Sequence, residues 1–360
     1  MVDLLRQEIA ATADLVVVKV GTRVLTGEGG LLNHGRITEL AEQIHLAMQN
    51  GRKVVLVSSG AVGAGIGQLG LKQRPADLAH LQAVAAVGQS RLVESYDKAL
   101  GHYGLCAAQV LLTAEDMDHR DRYLNVRNTL LTLMEYGAVP IVNENDTVAV
   151  DELSGTFGDN DRLAALVTQL LRAPLLVILS DVEGLFDGDP EDPDSKVLAS
   201  VSAIDESVRK LVKPSTSSGG RGGMASKLEA ARIATAAGES VILASGFEAG
   251  NLTAILAGEP IGTLFVPQGQ SVSLRKRWIG YTVQPRGWLV VDHGAEQAVA
   301  QQGRSLLPIG VVAIRGNFQK GDVVVVQDEA GLEIGRGLTN YGVVELRKIK
   351  GLRSDEIAAV

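Results

Sequence analysis

A lysine interrupts an otherwise apolar, β-branched run, Leu15-Val-Val-Val-Lys19-Val-Gly-Thr22. A run of this kind reads as a strand buried on both faces, as in parallel sheets. An ammonium in such a strand is costly unless something anionic lies at its end. The run stops at Gly21-Thr22, where bare backbone amides and a hydroxyl can meet a phosphate. A lysine can also be a core residue with a buried stem and a solvated head, and the run alone leaves that alternative open. Far downstream, Gly222-Gly-Met-Ala-Ser-Lys227 places a second lysine behind a glycine-rich loop. Two lysines and two glycine turns point to phosphoryl transfer, in which catalysis is mostly positioning and charge neutralisation.

The rest of the first two-thirds alternates between helical and strand periods. Helices are expected over Gly35–Asn50, Ala79–Tyr103, Asn125–Tyr136, Asp161–Leu171 and Lys227–Ala237. Strands are expected at Lys53–Ser58, Gln109–Leu112, Ala138–Val142, Pro174–Leu179 and Ser240–Ala244. That alternation predicts a three-layer α/β sandwich around a mostly parallel sheet. The core must be aliphatic, because 46% of residues are hydrophobic and only 4% aromatic. After Pro267 the pattern changes to short β-like runs at Trp288–Val291, Val311–Ile314, Val323–Val326 and Val343–Leu346, punctuated by glycines. A small β-barrel-like second domain is expected there. The expected division is 1–266, a linker over 267–285, and 286–360.

Net charge is −8, with an acidic body and a modestly basic tail. The tail permits an RNA partner, but its small excess of cations fits a solvated surface better. The lone Cys106 excludes an internal disulfide framework. The charged N-terminus lacks a signal-peptide core, and no apolar stretch approaches the ~20 residues of a membrane helix. A soluble, cytoplasmic protein with no membrane partner is therefore expected.

In open α/β sheets, ligands gather at the carboxyl ends of the strands. Here those ends carry Lys19–Thr22, Ser59-Gly60, Asn143–Asp146 and Ser180-Asp181. Polar loops are common, so any one is weak, whereas four at equivalent positions are stronger. Gly158-Asp-Asn-Asp-Arg162 exceeds what a helix cap requires but lacks the spacing of a calcium loop. The segment Ser217–Gly223 is either a flexible linker or, with Ser226-Lys227 opening the next helix, a phosphate contact. It is not a Walker A loop. The six histidines show no zinc spacing, and no metal ligand is assigned.

Taken together, Lys19-Val-Gly-Thr22, Ser59-Gly-Ala61, Asn143–Asp146, Gly158–Asp161 and Gly222–Lys227 resemble the glutamate 5-kinase family of the amino-acid kinase superfamily. Ser305–Pro308 and Gly316-Asn-Phe318 in the tail resemble the PUA domain that many members carry. The resemblance implies transfer of the ATP γ-phosphate to L-glutamate, the first step of L-proline biosynthesis. It implies that Lys19, Asp161 and Lys227 are catalytic, and that Ser59, Asp146 and Asn160 bind glutamate. ATP would meet Lys19, Ser180, Asp181, Arg221, Gly222, Gly223, Met224, Ala225, Ser226 and Lys227, with Mg²⁺ riding on its phosphates. It further implies a dimer or tetramer, feedback inhibition by proline, and hand-over of a labile product to glutamyl phosphate reductase. Two departures stand out: Arg221 replaces a familiar threonine, and relatives continue a short stretch beyond Val360. Sibling kinases acting on acetylglutamate, aspartate, carbamate or UMP, and an RNA-binding protein with a lapsed kinase body, are the alternatives.

Overall fold

The computed structural model describes residues 3–27, 31–148, 160–212, 223–268, 278–300, 302, 304–353 and 356. It divides into two units, Met1–Val272 and Ser273–Val360.

Among the described residues the first unit is built on eight strands: β1 Leu15–Val20, β2 Lys53–Ser58, β3 Ala107–Leu112, β4 Val139–Glu144, β5 Leu175–Ser180, β6 Ser200–Val201, β7 Ser240–Ser245 and β8 Thr263–Phe265. Their order is β3-β4-β2-β1-β5-β7-β8-β6. The pairs from β3 to β7 are parallel, whereas β8 runs antiparallel to β7. From β1 the chain builds outward to β2, then later returns to β1's other side with β5, so β1 marks the switch point of the sheet. Crevices for ligands form at such points.

Helices cover both faces. Helices His34–Gln49, Ala61–Leu69, Leu78–Gly101 and Asn251–Leu256 form one layer; Arg120–Glu135, Asn160–Leu171 and Met224–Ala236 form the other. The two-residue period of β1 sorts its side chains between them. Val16, Val18 and Val20 join the aliphatic core with Ile37, Leu40 and Ile44, which leaves Lys19 on the opposite face, toward Asn160–Leu171. That helix is buried all round from Leu163 to Leu171, as expected of a central element.

The glycine-rich run after β2 folds as a helix, Ala61–Leu69, opened by Gly60 in a left-handed conformation (φ 107°). Its glycines permit close helix packing. A Cβ on Gly65 would strike the Val84 carbonyl, and one on Gly88 would strike the Ala61 carbonyl. This crossing holds Leu78–Gly101 tightly against the turn that carries Ser59.

Among the described residues the second unit has four strands, β9 Gly287–Val291, β10 Val311–Gly316, β11 Val323–Gln327 and β12 Glu333–Leu338, ordered β10-β9-β11-β12. One expectation is corrected here: Val343–Leu346 is not a strand but the start of a helix, Val343–Ile349. Its β-branched opening suggested a strand, yet Val343, Leu346 and Ile349 are the buried positions and Val344 is exposed, a helical spacing. Glu345 accepts from the Gly342 amide at 3.0 Å, and Arg347 and Lys348 suit the last turn. The strand β12 was missed, because Gly335 and Gly337 hide its alternation.

Candidate active site

Lys19, at 3% exposure, sits one residue from the carboxyl end of β1. Lys227, at 5%, lies in the first turn of the helix Met224–Ala236. The fully buried Asp161 lies in the first turn of Asn160–Leu171 and meets both. Its Oδ1 pairs with Lys19 Nζ, and its Oδ2 lies 3.1 Å from Lys227 Nζ. Ser226 Oγ donates to the same Oδ2 at 3.0 Å. Burial pushes the Asp161 carboxyl up, but the charges and hydrogen bonds of Lys19 and Lys227 outweigh it and hold the group below the usual carboxylate range. The carboxylate therefore stays ionised and sets the spacing of two ammonium groups drawn from distant parts of the chain.

Backbone ties extend the sheet at the same end. Gly21 N–H donates to Leu179 O at 3.0 Å, and Ser59 N–H donates to Val20 O at 3.1 Å. A side chain at Gly21 would begin 3.9 Å from Lys19 Nζ, so glycine keeps that ammonium approachable.

Asn160 turns to the other side. Its Nδ2 lies 3.0 Å from Ser59 Oγ, 2.8 Å from Asn143 Oδ1 and 3.2 Å from Ser58 O. Asp146 is half-buried in the turn just past β4, whose Val148 N–H donates to Asn145 O at 3.1 Å. Ser180 and Asp181 close the row at the end of β5, with Ser180 Oγ donating to Asp181 Oδ1 at 3.0 Å. Burial pushes the Asp181 carboxyl up, but the bond from Arg23, at 2.6 Å, and that from Ser180 hold it low.

The structure thus joins Lys19, Asp161, Ser226 and Lys227 in one cluster, and Ser59 and Asn160 in another, linked through the adjacent positions 160 and 161. Gly223, Met224 and Ala225 lead into the Lys227 turn. Arg221 and Gly222 lie outside the described residues, as do 158 and 159. Sequence reasoning missed Arg23, Gln89 and Tyr96. Gln89 and Tyr96 could have been found as polar groups on the buried face of Leu78–Gly101. Tyr96 OH lies 3.0 Å from Ser58 Oγ, and burial pushes its phenol up.

A site of this kind can gather a polyanion against two lysines while a polar pocket beside it holds a second substrate. The chain is also similar to known proteins. Residues 14–245 match the amino acid kinase family, and residues 287–360 match the PUA domain. The chain is 47% identical over 353 residues to a glutamate 5-kinase of Rhodopirellula baltica, covering 98% of this chain and 91% of that one. A glutamate 5-kinase of Moorella thermoacetica is 47% identical over 346 residues, covering 96% and 91%. The X-ray structures of isopentenyl phosphate kinase share the fold, with a TM-score of 0.51 at 17% identity, covering 70% of this chain and 100% of that one. At that identity the likeness concerns the fold alone.

Proposed function

The chain belongs to the amino acid kinase family, and we propose that it transfers the γ-phosphate of ATP to the side-chain carboxylate of L-glutamate. The product is L-glutamyl 5-phosphate, made in the first step of L-proline biosynthesis. The observation that carries the reading is the Lys19–Asp161–Lys227 cluster beside the Ser59–Asn160 pair.

A glutamate carboxylate oxygen attacks the γ-phosphorus while the bond to the β–γ bridging oxygen breaks, and ADP departs with the electron pair. The nucleophile is already ionised at neutral pH, with an ordinary pKa of about 4.3, so no general base is required. Lys19 and Lys227 stabilise charge that spreads over the phosphoryl oxygens, in a buried setting where such stabilisation is strong. Asp161 acts through the two lysines as a positioning residue. Ser180, Asp181 and the segment 221–227 hold the nucleotide, and Asp146 receives the substrate's α-ammonium. Magnesium enters as part of Mg-ATP, keeping most of its ligands from phosphate and water. Among the described residues no group of three or more His, Cys, Asp and Glu is placed to hold a resident metal.

Ser59→Ala tests the acceptor pocket. Asn160 Nδ2 keeps Asn143 Oδ1 and Ser58 O as partners, so the fold survives. The KM for glutamate is expected to rise about tenfold, as for loss of a hydrogen bond to a charged ligand, with the KM for ATP unchanged. An unchanged glutamate KM would remove Ser59 from the pocket.

Catalysis is assigned to residues 1–266 and the linker to 267–285, with the PUA domain at 286–360. Proline is proposed to compete with glutamate for the same pocket. Rates in excess proline that match those without it would sink that idea. Assembly as a dimer or tetramer would be contradicted by light scattering that finds only monomer. The labile acyl phosphate suits direct hand-over to glutamyl phosphate reductase. Among the described residues, no helix is long and apolar enough to cross a membrane.

A further inference from the structure

A chain of side-chain amides runs beneath the acceptor pocket, and one backbone group fixes the direction of every member. The Glu144 N–H can only donate, and it lies 2.9 Å from the Asn143 side chain, so the atom facing it must be Oδ1. The Asn143 Nδ2 then points to Gln89, 2.7 Å away, and the Gln89 atom that receives it must be Oε1. Flipping Gln89 would set two NH₂ groups against each other, and flipping both would face an NH₂ to the Glu144 amide. The orientation leaves the Gln89 Nε2 as the unspent end of the chain. It is buried and finds no hydrogen-bond partner among the described residues, in a residue only 8% exposed.

Gln89 is also held in place. It follows Gly88, whose backbone abuts the carbonyl of Ala61, the first residue of the helix after Ser59. Two turns further along the same helix face, Tyr96 bonds Ser58. The Gln89 amide is therefore two hydrogen bonds from Asn160 and three from Ser59 Oγ, through Asn143. A buried donor without an acceptor is destabilising, and such donors persist where a ligand supplies the acceptor.

We propose that Gln89 is a substrate-binding residue whose side-chain NH₂ donates to a carboxylate of the bound amino acid. The proposal rests on the reading that glutamate occupies the pocket of Ser59, Asp146 and Asn160.

Gln89→Glu is the discriminating variant. It keeps an acceptor oxygen for Asn143 and replaces only the unspent NH₂ with a second oxygen. If Gln89 merely braces Asn143, the buried carboxyl weakens the fold and lowers ADP and glutamate affinity together, with no selective loss of glutamate. If it binds substrate, the glutamate KM at neutral pH rises about 10- to 100-fold while the ATP KM stays within about twofold. The introduced carboxyl regains a donor on protonation, so the variant's glutamate KM falls again relative to wild type as pH is lowered. ADP titration reports whether the variant is folded. Should it not bind ADP, Gln89→Met replaces it, with the same expected loss of glutamate affinity and retained ADP affinity. A glutamate KM equal to wild type in an ADP-binding variant overturns the proposal. Wild-type protein that forms no acyl phosphate with glutamate would instead remove the underlying reading.

Discussion

Asp161→Asn is expected to lose at least about a hundredfold in kcat and to melt on the order of 10 °C lower than wild type. The substitution keeps the shape but removes the charge that both Lys19 and Lys227 face. Two ammonium groups then lie close together in a buried setting, and breaking a buried ion pair costs about 3–5 kcal/mol. The lysines relieve the repulsion by moving, which spoils their alignment on the phosphates. The loss has a defined pH dependence. The folded carboxyl titrates below its unfolded value of about 3.9, so it contributes stability fully above that value. That contribution disappears as pH falls through the lower, folded pKa. The stability gap between wild type and Asp161→Asn should therefore be full above about pH 5 and shrink below about pH 4. A gap that widened on acidification would contradict the ion-pair account.

Lys227→Ala is expected to lower kcat by about 10²–10³ while leaving the glutamate KM within a few-fold. Lys227 lies in the first turn of Met224–Ala236, on the Asp161 side of the site rather than the Ser59 side. Its charge acts where the phosphoryl group carries charge in transit, so its removal affects the transition state more than acceptor binding. Equal losses in glutamate binding and in turnover would instead place Lys227 in the acceptor pocket.

Much of the kinase fold was legible because strands such as Leu15–Val20 and Leu175–Ser180 are apolar runs and helices such as His34–Gln49 carry a 3.6-residue stripe, whereas the short strands Ser200–Val201 and Thr263–Phe265 and the glycine-rich helix Ala61–Leu69 offer no such pattern. Lys19 was legible for the opposite reason, as a charge that breaks such a run. Asp161 and Lys227 could be named from their motifs, but their meeting joins positions 66 residues apart and no local pattern displays it. Gln89 was hidden by the helix it interrupts, since one polar residue in a buried stripe reads as noise until its partners are seen. Arg23 was hidden because its partner Asp181 lies on a different strand end, 158 residues away. The second unit was read less well. Val343-Val344 looked like a strand because two β-branched residues outweighed the helical spacing of Val343, Leu346 and Ile349. The strand β12 escaped because its glycines leave no alternation to detect.

The reaction assigned to the paired clusters is phosphorylation of the side-chain carboxylate of glutamate. Its most direct test is trapping of the acyl phosphate with hydroxylamine, using Mg-ATP and L-glutamate, N-acetylglutamate or aspartate, with Lys227→Ala in parallel. The account predicts hydroxamate with L-glutamate, far less with the other two acids, and its near disappearance in the variant. Hydroxamate with another acceptor and none with glutamate would contradict the substrate assignment, and full activity in Lys227→Ala would contradict the site.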